Sequence, residues 1–125
     1  MKLAAEIPLK NGLTLCFRHR SHRYFGDYHH IEVDVICEIP ITEEHFTSHA
    51  EFVEARAVLG QKTLFRRRME MMGVPSAEVE RSVSRVIENF TGHSLPYLSS
   101  PSFPRKLINS ELATARRQKG SSYTG

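Results

Sequence analysis

From Leu13 to Ile41 apolar and polar residues alternate on either side of a short break, and this stretch limits the possible folds more than any other feature. Leu13, Leu15 and Phe17 alternate with Thr14, Cys16, Arg18 and Arg20. From His29 onward Ile31, Val33, Val35, Cys37, Ile39 and Ile41 alternate with His30, Glu32, Asp34 and Glu38. A period of two sends successive side chains to opposite sides of an extended chain, so each run predicts a strand with one face in the core and one in water. A three-residue loop at Phe25-Gly26-Asp27 joins them into a hairpin.

The register follows from the same pattern, because a one-residue slip would set one strand's apolar face against the other's polar face. With that loop, Phe17 pairs with Val35 and Leu15 with Cys37. The other face then opposes Arg20 to Glu32, Arg18 to Asp34 and His22 to His30. Opposite charges directly across a ladder contribute roughly 0.2 to 1 kcal/mol each. Residues 16–30 are rich in histidine and arginine, and this register accounts for most of them without a ligand. His19 is the exception, a polar residue at core parity where leucine would be expected.

Leu3 to Leu9 predicts a further strand, followed by a turn at Lys10-Asn11-Gly12. A strict two-residue Asn-Gly hairpin would oppose Glu6 to Phe17, so a bulge or a longer turn is expected, returning Ile7 to the core side. Thr42, followed by Glu43 and Glu44, looks like a capped helix start, although the chain through Ser48 also reads as loop. Phe46, Ala50, Val53 and Ala57 recur at helical spacing and Gly60 ends the element. Residues 62–72 read as a strand in which Arg67 breaks the alternation.

Ser76 is expected to cap a second helix bearing Val79, Val83, Val86, Ile87 and Phe90 on one face, with Gly92 stopping it. Residues 94–104, interrupted by three prolines, predict an extended loop. Pro104 suits the first turn of a last helix running to about Arg117, and residues 120–125 read as a flexible tail. The expectation is one α+β domain over residues 1–119, an antiparallel sheet of three or four strands with two or three helices packed on one face.

Composition excludes several classes. No apolar run is long enough to cross a membrane as a helix, and Glu6 and Pro8 interrupt any signal-like start, which places the chain in the cytoplasm with Cys16 and Cys37 as free thiols. The net charge is +3, and it is uneven: residues 1–60 carry six Lys/Arg against nine Asp/Glu, residues 61–125 eleven against five. A basic second half permits an anionic partner without requiring one.

Candidate chemistry is sparse. Zinc needs about four converging ligands, and His22 with His30 supply only two, because Cys16 lies roughly 20 Å along the strand from His22. No nucleophile stands beside a base, no glycine-rich phosphate loop is present, and no cofactor is implied. Arg18, Arg20, Arg23 and Tyr24, with Arg66 and Arg68 on the same sheet, form a basic, aromatic-flanked surface of the kind that binds single-stranded nucleic acid. Glu32, Asp34 and Glu38 on that face oppose such a field. Exposed sheet edges, Met69, Met71 and Met72, and the aromatic-proline loop are surfaces for a protein partner or a second copy of the chain.

The succession N-G-L-T-L (residues 11–15), Y-F-G-D-Y (24–28), A-V-L-G (57–60) and S-L-P-Y-L-S-S-P-S-F-P-R (94–105) resembles a family of small bacterial proteins with no assigned activity, across residues 6 to 108. The resemblance implies a bacterial, cytoplasmic protein and transfers no catalytic residue. The reading that best fits the residues is a non-enzymatic binding or assembly module. A nucleic-acid binder comes second and an enzyme third.

Overall fold

The computed structural model describes residues 1–124, with side chains through residue 118. Four strands, β1 (Lys2–Pro8), β2 (Thr14–Phe25), β3 (Tyr28–Pro40) and β4 (Lys62–Pro75), form one antiparallel sheet in sequence order. Helices α1 (His49–Leu59), α2 (Val79–Leu98) and α3 (Phe103–Thr124) pack on its apolar face, giving the expected α+β architecture. The flexible tail expected over residues 120–125 lies outside the residues whose side chains are described.

The β2–β3 register is the one the alternation dictates: Phe17 faces Val35, Leu15 faces Cys37, and Arg20 faces Glu32. The turn differs from expectation. Phe25 pairs with Tyr28, so the loop is the two residues Gly26 and Asp27, and a bulge at Tyr24 absorbs the extra residue before Arg23 meets His29. Gly26 has a φ of 54° while no other residue type among those described has positive φ, the signature of a two-residue turn with glycine first. At the other end Leu9 and Leu13 close a three-residue turn, which sets Ile7 opposite Leu15 as the core requires. A bulge between Leu3 and Ala5 then shifts the remainder of β1.

Residues 62–72 are strand, as read, and β4 continues to Pro75. Met69 and Met71 face the core and are half-buried, whereas Met72 is exposed, so the methionine run is mainly packing. Arg67 stands at core parity at the sheet edge and lies over the Phe65 ring.

The helix boundaries depart from the sequence reading in four places. Thr42 makes no cap hydrogen bond; it precedes a short 3-10 turn, and Ser48 caps α1 by accepting from the Glu51 N–H. Ser76 does not cap α2 either, because its hydroxyl lies 2.7 Å from His29 Nε2 and a 3-10 turn intervenes. Gly92 does not stop α2, which runs on to Leu98 through Pro96. The apolar face explains why: Val83, Phe90 and Leu98 all lie in the core, and keeping Leu98 there outweighs the single backbone bond to Gly92 that proline cannot make. The expected loop over 94–104 therefore shrinks to the segment between Leu98 and Phe103, and the last helix passes Arg117.

One core joins the sheet to all three helices, with Phe17 edge-on to Phe90 at 5.9 Å and Phe65 edge-on to Phe103 at 5.9 Å. Asn11 holds the first turn to the α2–α3 junction by donating to the carbonyls of Leu98 and Ser100 at 2.8 and 3.0 Å. Phe17 is fully buried, so Phe17→Ala should cost about 3–5 kcal/mol in urea unfolding. Phe25 is 73% exposed, and Phe25→Ala should stay within about 0.5 kcal/mol of the unmodified protein.

Candidate binding face

The helices cover one side of the sheet and leave the other open. Even-numbered residues of β2, β3 and β4 project there in cross-strand rows: Cys16, Ile36 and Arg66; then Arg18, Asp34 and Arg68; then Arg20, Glu32 and Glu70. His22 and His30 form the next row, with ring centroids 5.1 Å apart, edge to face. Arg18, Arg20, Arg66 and Arg68 thus share the face, whereas Arg23 has the opposite parity and Tyr24 sits at the bulge by the hairpin end.

The acids on this face are divided unequally among the arginines. Arg20 Nε donates to Glu32 Oε2 at 2.8 Å. Arg68 grips Asp34 with two hydrogen bonds, Nε to Oδ1 at 2.7 Å and Nη2 to Oδ2 at 3.1 Å, and its Nη1 lies 3.6 Å from Glu32 Oε2. Lys62 takes Glu38 at 2.8 Å. Arg18, although directly opposite Asp34, is left with no ion pair among the described residues, and so is Arg66.

Glu32 and Asp34 are only 8% and 6% exposed, covered by a single layer of arginine side chains. Hydrogen bonding outweighs this partial desolvation. The bond from Arg20 holds the Glu32 carboxyl below the usual range, and the bond from Arg68 does the same for Asp34. Asp34 in turn raises the guanidinium of Arg68. At the far end of the hairpin, hydrogen bonding from Ser76, chiefly its side chain, lowers Asp27, where the β2–β3 turn meets the 3-10 turn that precedes α2.

Between the β1–β2 turn and β4 the face sinks into a half-open groove of about 580 Å³. Cys16 and Ile36 form its half-buried floor, Leu13, Pro40 and Leu64 its apolar sides, and Thr14 and Glu38 polar points along it. Arg18 and Arg66 stand at one end. Sequence parity places β4 side chains on this face, but the β3–β4 register comes only from the structure, so the capture of Asp34 by Arg68 and the approach of Glu70 to His30 were not legible beforehand.

The thiols lie on opposite faces of the sheet and are free. Burial pushes Cys37 up to about 11, the behaviour of an inert core residue. His19 is half-buried between Lys2 and Val33, and its Nδ1 has no hydrogen-bond partner. Among the described residues no helix is long and apolar enough to cross a membrane. The chain matches no protein-family model, no curated protein and no solved structure.

A depressed carboxyl stabilises the fold fully above the ordinary carboxylate range, and that contribution is lost as pH falls through the lowered folded value. Asp34→Asn should therefore cost about 1–3 kcal/mol at pH 7 and flatten the loss of stability on acidification. Urea unfolding at pH 7 and at pH 3 checks both effects, and an unchanged acid dependence would refute this role of Asp34.

Proposed function

We propose that this chain is a non-enzymatic binding module whose open sheet face takes an extended, acidic segment of a partner protein. The observation that carries the reading is the double hydrogen bond from Arg68 to Asp34. It removes the one carboxylate that the β2–β3 register offers Arg18. Two guanidiniums, Arg18 and Arg66, then stand beside an apolar floor with no carboxylate paired to them among the described residues. Arginine presents a planar fork of donors that matches a carboxylate. A segment with an Asp or Glu next to an apolar side chain fits both parts of the groove, the acid between Arg18 and Arg66 and the apolar group over Ile36 and Leu64.

The charge count on the face favours a protein partner over nucleic acid. Arg18, Arg20, Arg66, Arg68 and Lys62 are matched there by Glu32, Asp34, Glu38, Glu70 and Glu6, which β1 sets beside Cys16, five cations against five anions. Binding a phosphate chain along the whole face requires a continuous positive field. Two unpaired arginines at one end of an apolar groove suit a single acidic group.

A random-peptide display library selected on the immobilised protein tests the proposal. Enriched peptides should carry Asp or Glu beside an apolar residue, and the Arg18→Ala/Arg66→Ala double variant should bind them at least about tenfold more weakly, equivalent to about 1.4 kcal/mol. Equal binding by the double variant, or capture of single-stranded oligo-dT at low salt in place of peptide, would overturn it.

A further inference from the structure

We propose that His22, His30, Glu32 and Glu70 form a site for a divalent first-row transition metal of the zinc class, at the opposite end of the open face from the peptide groove. Along β3, Glu32 lies four residues, roughly 13 Å, from Ile36 on the groove floor and two residues, roughly 7 Å, from the row of Arg18 and Asp34. The site is independent of the peptide-binding reading.

Three observations converge on it. Donor atoms of His30, Glu32 and Glu70 all lie within 4.8 Å of one another. His30 Nε2 and Glu70 Oε2 are 3.7 Å apart. In a tetrahedral site with metal–ligand bonds of about 2.0–2.1 Å, neighbouring donors stand roughly 3.3–3.5 Å apart, so closing this pair around an ion needs a shift of only a few tenths of an ångström. The exposed His22 ring lies edge to face with His30, its centroid 5.1 Å away; it stands outside the three-residue cluster and would join it as a fourth donor only by turning its ring toward the carboxylates.

Glu32 and Glu70 also face each other directly across the β3–β4 ladder, a like-charge pairing that destabilises a sheet unless something sits between. Arg20 and Arg68 offset part of this, and both contact the same oxygen of Glu32, Oε2. Oε1 is left for a cation. The row of Arg20, Glu32 and Glu70 itself holds two carboxylates against one guanidinium. Neutral imidazole and carboxylate donors suit zinc-class ions rather than calcium or magnesium, which prefer all-oxygen shells.

Calorimetric titration of the untagged, chelator-treated protein with ZnCl2 at pH 7 tests the site, together with the visible spectrum of the Co2+ form. The expected result is one saturable equivalent, tetrahedral Co2+ bands, and affinity that falls on acidification as the histidines protonate. His30→Ala and Glu70→Gln should each weaken binding at least about tenfold, the lower limit for losing even an outer-shell partner. His93→Ala, at an exposed α2 histidine bonded to the Asn89 carbonyl, should bind as the unmodified protein does. Glu70 is half-exposed and opposes another acid, so Glu70→Gln should leave the metal-free melting temperature unchanged or raised, and a zinc-induced rise in melting temperature should shrink or disappear in Glu70→Gln and His30→Ala but persist in His93→Ala. No saturable binding by the unmodified protein, or binding that survives both His30→Ala and Glu70→Gln, would overturn the proposal.

Discussion

The pairing of β2 with β3 organises the rest of the molecule, because one register decides the composition of both faces at once. With Phe17 against Val35, the odd-numbered residues of the hairpin form an apolar surface large enough to hold three helices. The same register puts Arg18, Arg20 and His22 across from Asp34, Glu32 and His30 on the other side. Neither face can be changed by a slip without destroying the other. The bulge at Tyr24 shows how firmly the register is held: a shorter turn than expected is accommodated by one extra residue in β2, and every pair from Arg23 downward is preserved.

Strands were legible in the sequence because their signal is local and repeats every two residues. Helix limits were not, because they depend on where a side chain ends up in the core. Gly92 and Pro96 are both helix-weakening residues, yet α2 continues past them to bury Leu98. Ser76 has the composition of a helix cap but is drawn away by His29 and Asp27, partners that only the tertiary fold supplies. The site divides in the same way. Arg20–Glu32 and His22–His30 lie in one hairpin and could be paired on paper, whereas Arg68–Asp34 and His30–Glu70 cross to β4. A connection containing α1, rather than a tight turn, joins β3 to β4, and nothing local sets its register.

The open face shows how competition among like residues leaves particular side chains unpaired. Four arginines and four acids share the neighbouring rows, and geometry rather than number decides which are paired. Arg68 makes two bonds to Asp34 and reaches Glu32 as well, while Arg18, in the same row, makes none. The outcome is a mostly neutral, internally bonded surface with charge concentrated at two places: unpaired guanidiniums over the groove and facing carboxylates beside the histidines. A face of evenly paired charges would offer neither.

The anchoring of Asn11 has a consequence for how the chain is made. Its side chain bonds to carbonyls 87 and 89 residues further along, so the first turn of the sheet is locked only after Leu98 and Ser100 have been synthesised. All four strands leave the ribosome before α2 and α3, and until those helices follow, the buried surface of Leu15, Phe17, Val33 and Val35 has little to cover it. The vulnerable interval falls between the completion of β4 and the emergence of α2 and α3, when a four-stranded sheet has only α1 to cover its apolar side.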